Sequence, residues 1–186
     1  VLPVGYSLGG NYVLRLARSC HANPALRPRH VVAVSPVLDP ERATLNIDSR
    51  PMFRKYFLRK WRRSLVRKQA VFPRHYDFSD IVRETTIFDV TEKLLQRYSP
   101  FVSARQYFNS YCIADGALDT ITADTTIITA EDDPIIPVDD FYRLHQNGAT
   151  RLIIHRRGGH NGFIEDFSFR AWYERFMLKR FQAYTD

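Results

Sequence analysis

The sequence predicts an α/β fold, a mostly parallel sheet flanked by helices, with a helical cap insertion between two of its strands. Three observations predict it. The chain opens with a short apolar strand that breaks at Gly5 into a helix-patterned stretch. A second apolar, β-branched run, His30-Val-Val-Ala-Val-Ser35, follows closely. Strand signals then vanish until Thr125–Ala130 and Arg151–His155. Strand, helix, strand at the first spacing is a βαβ unit with a right-handed crossover.

Taken in order, the first stretch carries the chemistry. Gly5-Tyr-Ser-Leu-Gly9 is a G-x-S-x-G turn that lifts the Ser7 hydroxyl above the end of a sheet. Glycines suit the crowding of strand against helix around a serine in a sparsely allowed conformation. The helix that follows aims its first N–H groups at the serine, which favours developing negative charge. Asn11–Arg18 reads as a mostly buried helix ending near the breaker His21-Ala-Asn-Pro24. The His30–Ser35 run, bounded by prolines, looks like a parallel strand covered on both faces.

The middle of the chain changes character. Arg50, Arg54, Lys55, Arg59, Lys60, Arg62, Arg63, Arg67 and Lys68 fall in one stretch without an acidic residue, whereas the whole chain carries only +7. The basicity is local. Phe53, Phe57, Trp61 and Leu65 recur through it at helical spacing, with Met52 and Tyr56 alongside. Shorter helical patterns follow around Ile81–Glu84, Val90–Arg97 and Ser103–Tyr111, and no strand is evident between Asp39 and Leu118. The expected division is therefore core (1–38), helical cap insertion (39–120) and the rest of the core (121–186).

Three surroundings suit the basic helix. Solvent alone suffices if its long side chains lie over an apolar face. An anionic lipid surface fits if Phe53, Phe57 and Trp61 insert, which makes Arg50–Lys68 a peripheral membrane contact. Nucleic acid fits the charge, but no recognisable module accompanies it, so no nucleic-acid partner is expected.

After Thr125–Ala130 the chain reads Glu131-Asp132-Asp133-Pro134, then a helix over Val138–Gln146 and a turn at Asn147-Gly148. A strand (Arg151–His155) leads to the loop Gly158-Gly-His160-Asn-Gly162, and Ile164–Ala183 reads as a closing amphipathic helix. A serine nucleophile needs an adjacent base, and the base needs an orienting carboxylate. In open α/β sheets these gather at the C-terminal ends of strands. Ser7, then Asp132 or Asp133, then His160 stand at three such ends in the required order.

Composition bounds the rest. At 186 residues and 45% hydrophobic the chain can bury a core of about one domain, and no apolar run reaches membrane-span length. Cys20 and Cys112 are too few for a disulfide framework or a metal knuckle, which points to a reducing, cytoplasmic compartment. His21, His30, His75, His145 and His155 lack metal-ligand spacing, and no glycine loop cradles a phosphate. No cofactor and no metal are expected.

Together, Gly5-Tyr-Ser-Leu-Gly-Gly-Asn11, Ile87-Phe-Asp89, Tyr107-Phe-Asn-Ser-Tyr111, Ala130-Glu-Asp-Asp-Pro-Ile135 and Gly159-His-Asn-Gly-Phe163 resemble the C-terminal portion of the α/β-hydrolase superfamily, and within it the YheT-like hydrolases. The resemblance implies carboxylic ester hydrolysis on a small-molecule or lipid ester, with Ser7 as nucleophile, Asp133 as acid and His160 as base. The backbone N–H of Leu8 supplies one oxyanion donor. The second comes, in this class, from a loop after an earlier strand. The chain opens inside a strand without a methionine, as expected for part of a longer protein whose N-terminal strands are absent here. Alone it is expected to be inactive or nearly so, and unstable or oligomeric. The alternative is a non-catalytic binding module that docks on membranes or acidic surfaces through its basic helix.

Overall fold

The computed structural model describes residues 1–20, 25, 27–114, 116 and 118–184. They form two compact units, one of residues 1–39 with 111–186 and one of residues 40–110. The first unit is built on four parallel strands in chain order: β1 (Val4–Tyr6), β2 (Val31–Val34), β3 (Thr125–Ala130) and β4 (Thr150–His155). Register runs Val4 to Val32, Val34 to Ile128 and Ile128 to Ile153. Every residue of β2 and β3 is buried, as their unbroken apolar and β-branched sequences require.

Alternation along the strands assigns the two faces. Helix α1 (Leu8–Ser19) packs on β1 and β2 on the face of Gly5 and Ala33. Helix α7 (Trp172–Gln182) covers the other face, where Trp172, Tyr173, Phe176, Met177 and Phe181 pack against Val32, Val34, Ile128, Ala130 and Phe163. Helix α1 begins three residues earlier than its apolar pattern suggests, because the backbone turn at Ser7 leads straight into it. The breaker at 21–24 lies outside the described residues.

The second unit is helical: α2 (Pro40–Ser49), α3 (Pro51–Val71), a 3-10 turn (Ile81–Arg83), α4 (Ile87–Tyr98) and α5 (Ala104–Tyr111), whose last residue belongs to the first unit. Its core gathers Leu58, Phe78, Ile81, Ile87 and Val90. The carboxylate of buried Asp48 ties α2 to α4 by accepting the N–H groups of Ile87 (2.8 Å) and Phe88 (3.0 Å), two donors of the first helical turn.

Two helices are shorter than their sequence patterns predict. α6 is the single turn Asp139–Tyr142, since Asn147 folds back and donates to the carbonyls of Asp119 (2.9 Å) and Ile121 (2.8 Å). The segment from Ile164 to Ala171 is not helical. Asp166 accepts the N–H of Ser168 (2.8 Å), Phe169 takes φ 58°, and Glu165 N–H donates to the carbonyl of Arg170. An aspartate–serine pair here offers the backbone a local alternative to the helix. Phe167 is fully exposed as a result. Among the described residues no helix is long and apolar enough to cross a membrane.

The first unit buries one imidazole, His30, and partly buries another, His155. His30 Nε2 lies 3.0 Å from Thr126 Oγ1 and its Nδ1 3.2 Å from the Tyr184 hydroxyl. Burial pushes its pKa below the ordinary value, the charge of Arg180 acts the same way, and Asp124 opposes both. Burial lowers His155 too, against Glu165, and its ring sits edge-on to Trp172. In the unfolded chain both titrate near ~6.5. As pH falls below that value the unfolded state takes up protons first, so this contribution is present above ~6.5 and is lost as pH drops toward the lower native values. The urea midpoint should fall between about pH 7.5 and pH 5.5, and His30→Gln should flatten the slope. A midpoint that holds or rises over that range contradicts the assignment.

Candidate active site

Ser7 sits between β1 and α1 with φ 52° and ψ −120°. A non-glycine residue held there stores on the order of 1–3 kcal/mol of strain. Three backbone bonds hold it. Ser7 N–H donates to the carbonyl of Val34 (2.9 Å), and the Ser7 carbonyl accepts from Asn11 (3.2 Å) and Val37 (3.3 Å). The glycines divide the steric work unequally. A Cβ on Gly5 would lie 2.1 Å from the Gly9 carbonyl oxygen, and one on Gly10 would lie 2.9 Å from Pro36 Cα. A Cβ on Gly9 would meet nothing within 4 Å. Asn11, buried in the second turn of α1, donates to the carbonyls of Val37 (2.8 Å) and Tyr111 (2.9 Å). Among the buried positions of α1, with Gly10, Val13, Leu14 and Ala17, Asn11 is the polar one, and that was the sequence signal for the tie.

His160 reaches Ser7 from the loop after β4. Its Nε2 lies 2.9 Å from Ser7 Oγ, and its Nδ1 lies 3.0 Å from Asp133 Oδ2. Asp133 follows β3, and its side chain is completely buried. Its other oxygen, Oδ1, accepts the N–H groups of Ile135 (2.8 Å) and Ile136 (3.0 Å). Pro134 has no N–H and restricts the backbone of Asp133, so these are the first donors the carboxylate can meet. With Asp133 accepting on both oxygens, Nδ1 carries the imidazole proton. Nε2 is left as acceptor for the Ser7 hydroxyl. The structure thus brings Ser7, Asp133 and His160 into one hydrogen-bonded line. Leu8 stands at the first position of α1, where the backbone N–H has no intrahelical partner.

Asp132 does something the sequence did not announce. Its Oδ1 accepts the N–H groups of Gly158 and Gly159, both at 2.8 Å, and so pins the loop that carries His160. The Gly159 N–H chiefly, with that of Gly158 and the charge of Arg157, holds the Asp132 carboxyl below the usual carboxylate range, against some desolvation. The loop is tight on its own account. A Cβ on Gly158 would lie 2.6 Å from the Phe163 ring, Gly159 takes φ 56°, and the Tyr173 hydroxyl donates to the Asn161 carbonyl (3.1 Å). Among the described residues no three His, Cys, Asp or Glu side chains converge to hold a metal ion.

A parallel sheet with a serine on a strained strand-to-helix turn, and an aspartate and a histidine after the next strands, defines the α/β-hydrolase class. The chain belongs to the alpha/beta hydrolase family, which it matches over residues 1–172. No curated protein sequence matches it. Among solved structures it is similar to a meta-cleavage product hydrolase from Pseudomonas fluorescens, at 15% identity and TM-score 0.54, over 97% of this chain and 64% of that one. It is also similar to an esterase from Pyrococcus furiosus (18% identity, TM-score 0.45, 96% of this chain and 52% of that one). An acetyl xylan esterase from a Thermoanaerobacterium species gives 14% identity, TM-score 0.46, and 96% and 44% coverage. The chain spans about half the length of these two esterases.

The glycine geometry makes a contrast that stability measurements can read. Gly5→Ala forces backbone apart and should cost at least ~1–3 kcal/mol. Gly9→Ala has open space on a helix and should gain up to ~1 kcal/mol. Urea denaturation of both variants checks it, and equal costs at the two positions would contradict the packing described.

Proposed function

We propose that this chain carries the triad of a serine hydrolase acting on carboxylic esters through an acyl-enzyme. Ser7 Oγ attacks the ester carbonyl carbon while its proton passes to His160 Nε2, and the imidazolium formed is stabilised by ionised Asp133. The oxyanion of the tetrahedral intermediate faces the Leu8 N–H at the positive end of α1. Collapse expels the alcohol, which leaves with the proton from Nε2. Water then attacks the acyl-enzyme, giving its proton to Nε2. Collapse returns that proton to Ser7 Oγ and releases the carboxylic acid. The observation that carries the reading is the unbroken bond line from Ser7 Oγ through His160 to the buried Asp133 carboxylate, 2.9 and 3.0 Å in its two steps. Membership of the alpha/beta hydrolase family supports hydrolysis as the reaction. The motifs around Ser7, Ile87-Phe-Asp89 and His160 support the finer assignment to YheT-like hydrolases, with a small-molecule or lipid ester as substrate.

The test is a fluorophosphonate probe on the natural full-length protein, with the labelled peptide mapped by mass spectrometry. Ser7 should be the labelled residue, and Ser7→Ala should lower kcat by several orders of magnitude with little change in stability. A protein that takes no label, or a Ser7→Ala variant with full esterase turnover, leaves the non-catalytic binding module instead.

The paired aspartates give a second test. Asp133→Asn should lower kcat on the order of 10⁴-fold, since the imidazole is then held in the wrong tautomer. Asp132→Asn keeps an acceptor oxygen for the loop N–H groups and should cost no more than about tenfold. If the Asp132 variant proves the more damaging, Asp133 is not the orienting acid.

A further inference from the structure

The apolar stripe of α3 faces inward. Leu58 is buried, and Phe57, Trp61 and Leu65 pack on the core of the helical unit with Phe78, Ile81, Ile87 and Val90. Two basic residues of the helix are also used internally. Arg54 donates to the carbonyl of Asp48 (2.9 Å) and Arg62 to that of Glu84 (2.7 Å). Phe57 and Trp61 are therefore not the residues that could enter a bilayer, which corrects the sequence expectation.

What the helix presents outward is different. Lys55, Arg59, Lys60, Arg63 and Arg67 are all exposed; Lys55, Arg59, Arg63 and Arg67 follow one another at four-residue steps, and Lys60 stands next to Arg59. None of them has an ion-pair partner among the described residues; Lys60 lies over the Tyr56 ring, 5.6 Å from its centroid. Apolar side chains interrupt this charge: Met52 is 78% exposed, Tyr56 48% and Val66 55%, with Val71 at 68% and Phe72 at 49% where the helix ends. Beside Val66 runs an apolar groove of about 370 Å³ lined by Val66, Gln69, Ala70, Pro73, Ser79 and Val82.

We infer that the outward face of α3, Lys55, Arg59, Lys60, Arg63 and Arg67 with Met52, Tyr56 and Val66, docks on an anionic lipid bilayer. The helix lies flat on the headgroups, and its guanidinium and ammonium groups meet lipid phosphates and carboxylates. A helix of this length offers roughly 30 Å of contact. The exposed Met52, Val66, Val71 and Phe72 favour lipid over nucleic acid. Phosphate backbones give aliphatic side chains nothing to bury against, whereas the headgroup–acyl boundary does. The inference does not depend on the ester-hydrolase reading, because the helix and its contacts lie wholly within residues 40–110.

Co-sedimentation of the full chain with vesicles tests it. Binding is expected to phosphatidylcholine mixed with phosphatidylserine and not to phosphatidylcholine alone, and it should weaken as salt rises past ~0.15 M. Replacing Arg59→Gln, Lys60→Gln, Arg63→Gln and Arg67→Gln should reduce partitioning about fivefold per charge removed. Met52→Ser with Val66→Ser should lower the salt-resistant remainder. A control with the same net charge, Arg151→Gln, Arg156→Gln, Arg170→Gln and Lys179→Gln, should bind like the parent, and all three variants should keep the parent urea midpoint. Equal binding to neutral vesicles overturns the inference. So does an equal loss in the control, or binding to a mixed-sequence oligonucleotide without binding to either vesicle.

Discussion

The constraint on which the first unit depends is a single backbone conformation, φ 52° at Ser7. Nothing local favours it for a side chain of this size, so it persists only where surrounding structure leaves no alternative. The Val34 carbonyl fixes the amide from the neighbouring strand. Val37 and Asn11 fix the carbonyl from two directions. Gly5 and Gly10 let α1 approach β1 and the Pro36 segment to distances that a Cβ would forbid. Strand β2 is thus both the sheet partner of β1 and the clamp that sets the serine. Its complete burial has a consequence for the site: a loosened β2 releases the bond that defines the turn.

His160 is held by a different logic. It stands on a loop, where precision has to come from outside the element. Two adjacent aspartates supply it by pointing to separate targets, Asp133 to the imidazole and Asp132 to the amides of Gly158 and Gly159. One carboxylate orients the ring while its neighbour fixes the backbone from which the ring hangs. Had both bonded the imidazole, the loop would be free to carry it away. Phe163 completes the fixture, filling the space that the missing Cβ of Gly158 leaves and packing on the core beneath α7.

Much of this was legible in the sequence because it is local. The strand-to-helix turn shows as five residues, and the order Ser7, then Asp132 or Asp133, then His160 follows from which strand ends carry polar residues, the family resemblance choosing Asp133. Of the four parallel strands, β2 was visible as a uniformly apolar run and the others as short runs of apolar and β-branched residues. What was not legible depends on contacts between distant segments. The task of Asp132 is fixed by amides some 26 positions away. The non-helical stretch from Ile164 to Ala171 has an apolar pattern compatible with a helix, and only the Asp166–Ser168 turn overrides it. In α3 the periodicity correctly located an apolar stripe. A helical pattern does not say whether such a stripe meets a core or a membrane, and here Phe78, Ile81 and Ile87 had already claimed it.

The two units illustrate how charge is treated differently when it is buried and when it is displayed. In the first, Asp133 is wholly enclosed and every bond to its carboxylate is accounted for, because an unpaired charge at that depth is costly. Asp132, nearer the solvent, gains from two amide donors and stays ionised below the usual carboxylate range. Its folded pKa is depressed, so its hold on the loop is present above the unfolded value near ~3.9 and fails only as pH falls through the lower native one. Loop fixation therefore outlasts mild acid. In the second unit the guanidinium groups of α3 that face inward, Arg54 and Arg62, donate to carbonyls rather than carboxylates, while the buried Nε of Arg62 has no partner among the described residues. A neutral acceptor lets Arg54 and Arg62 anchor the helix without cancelling its charge.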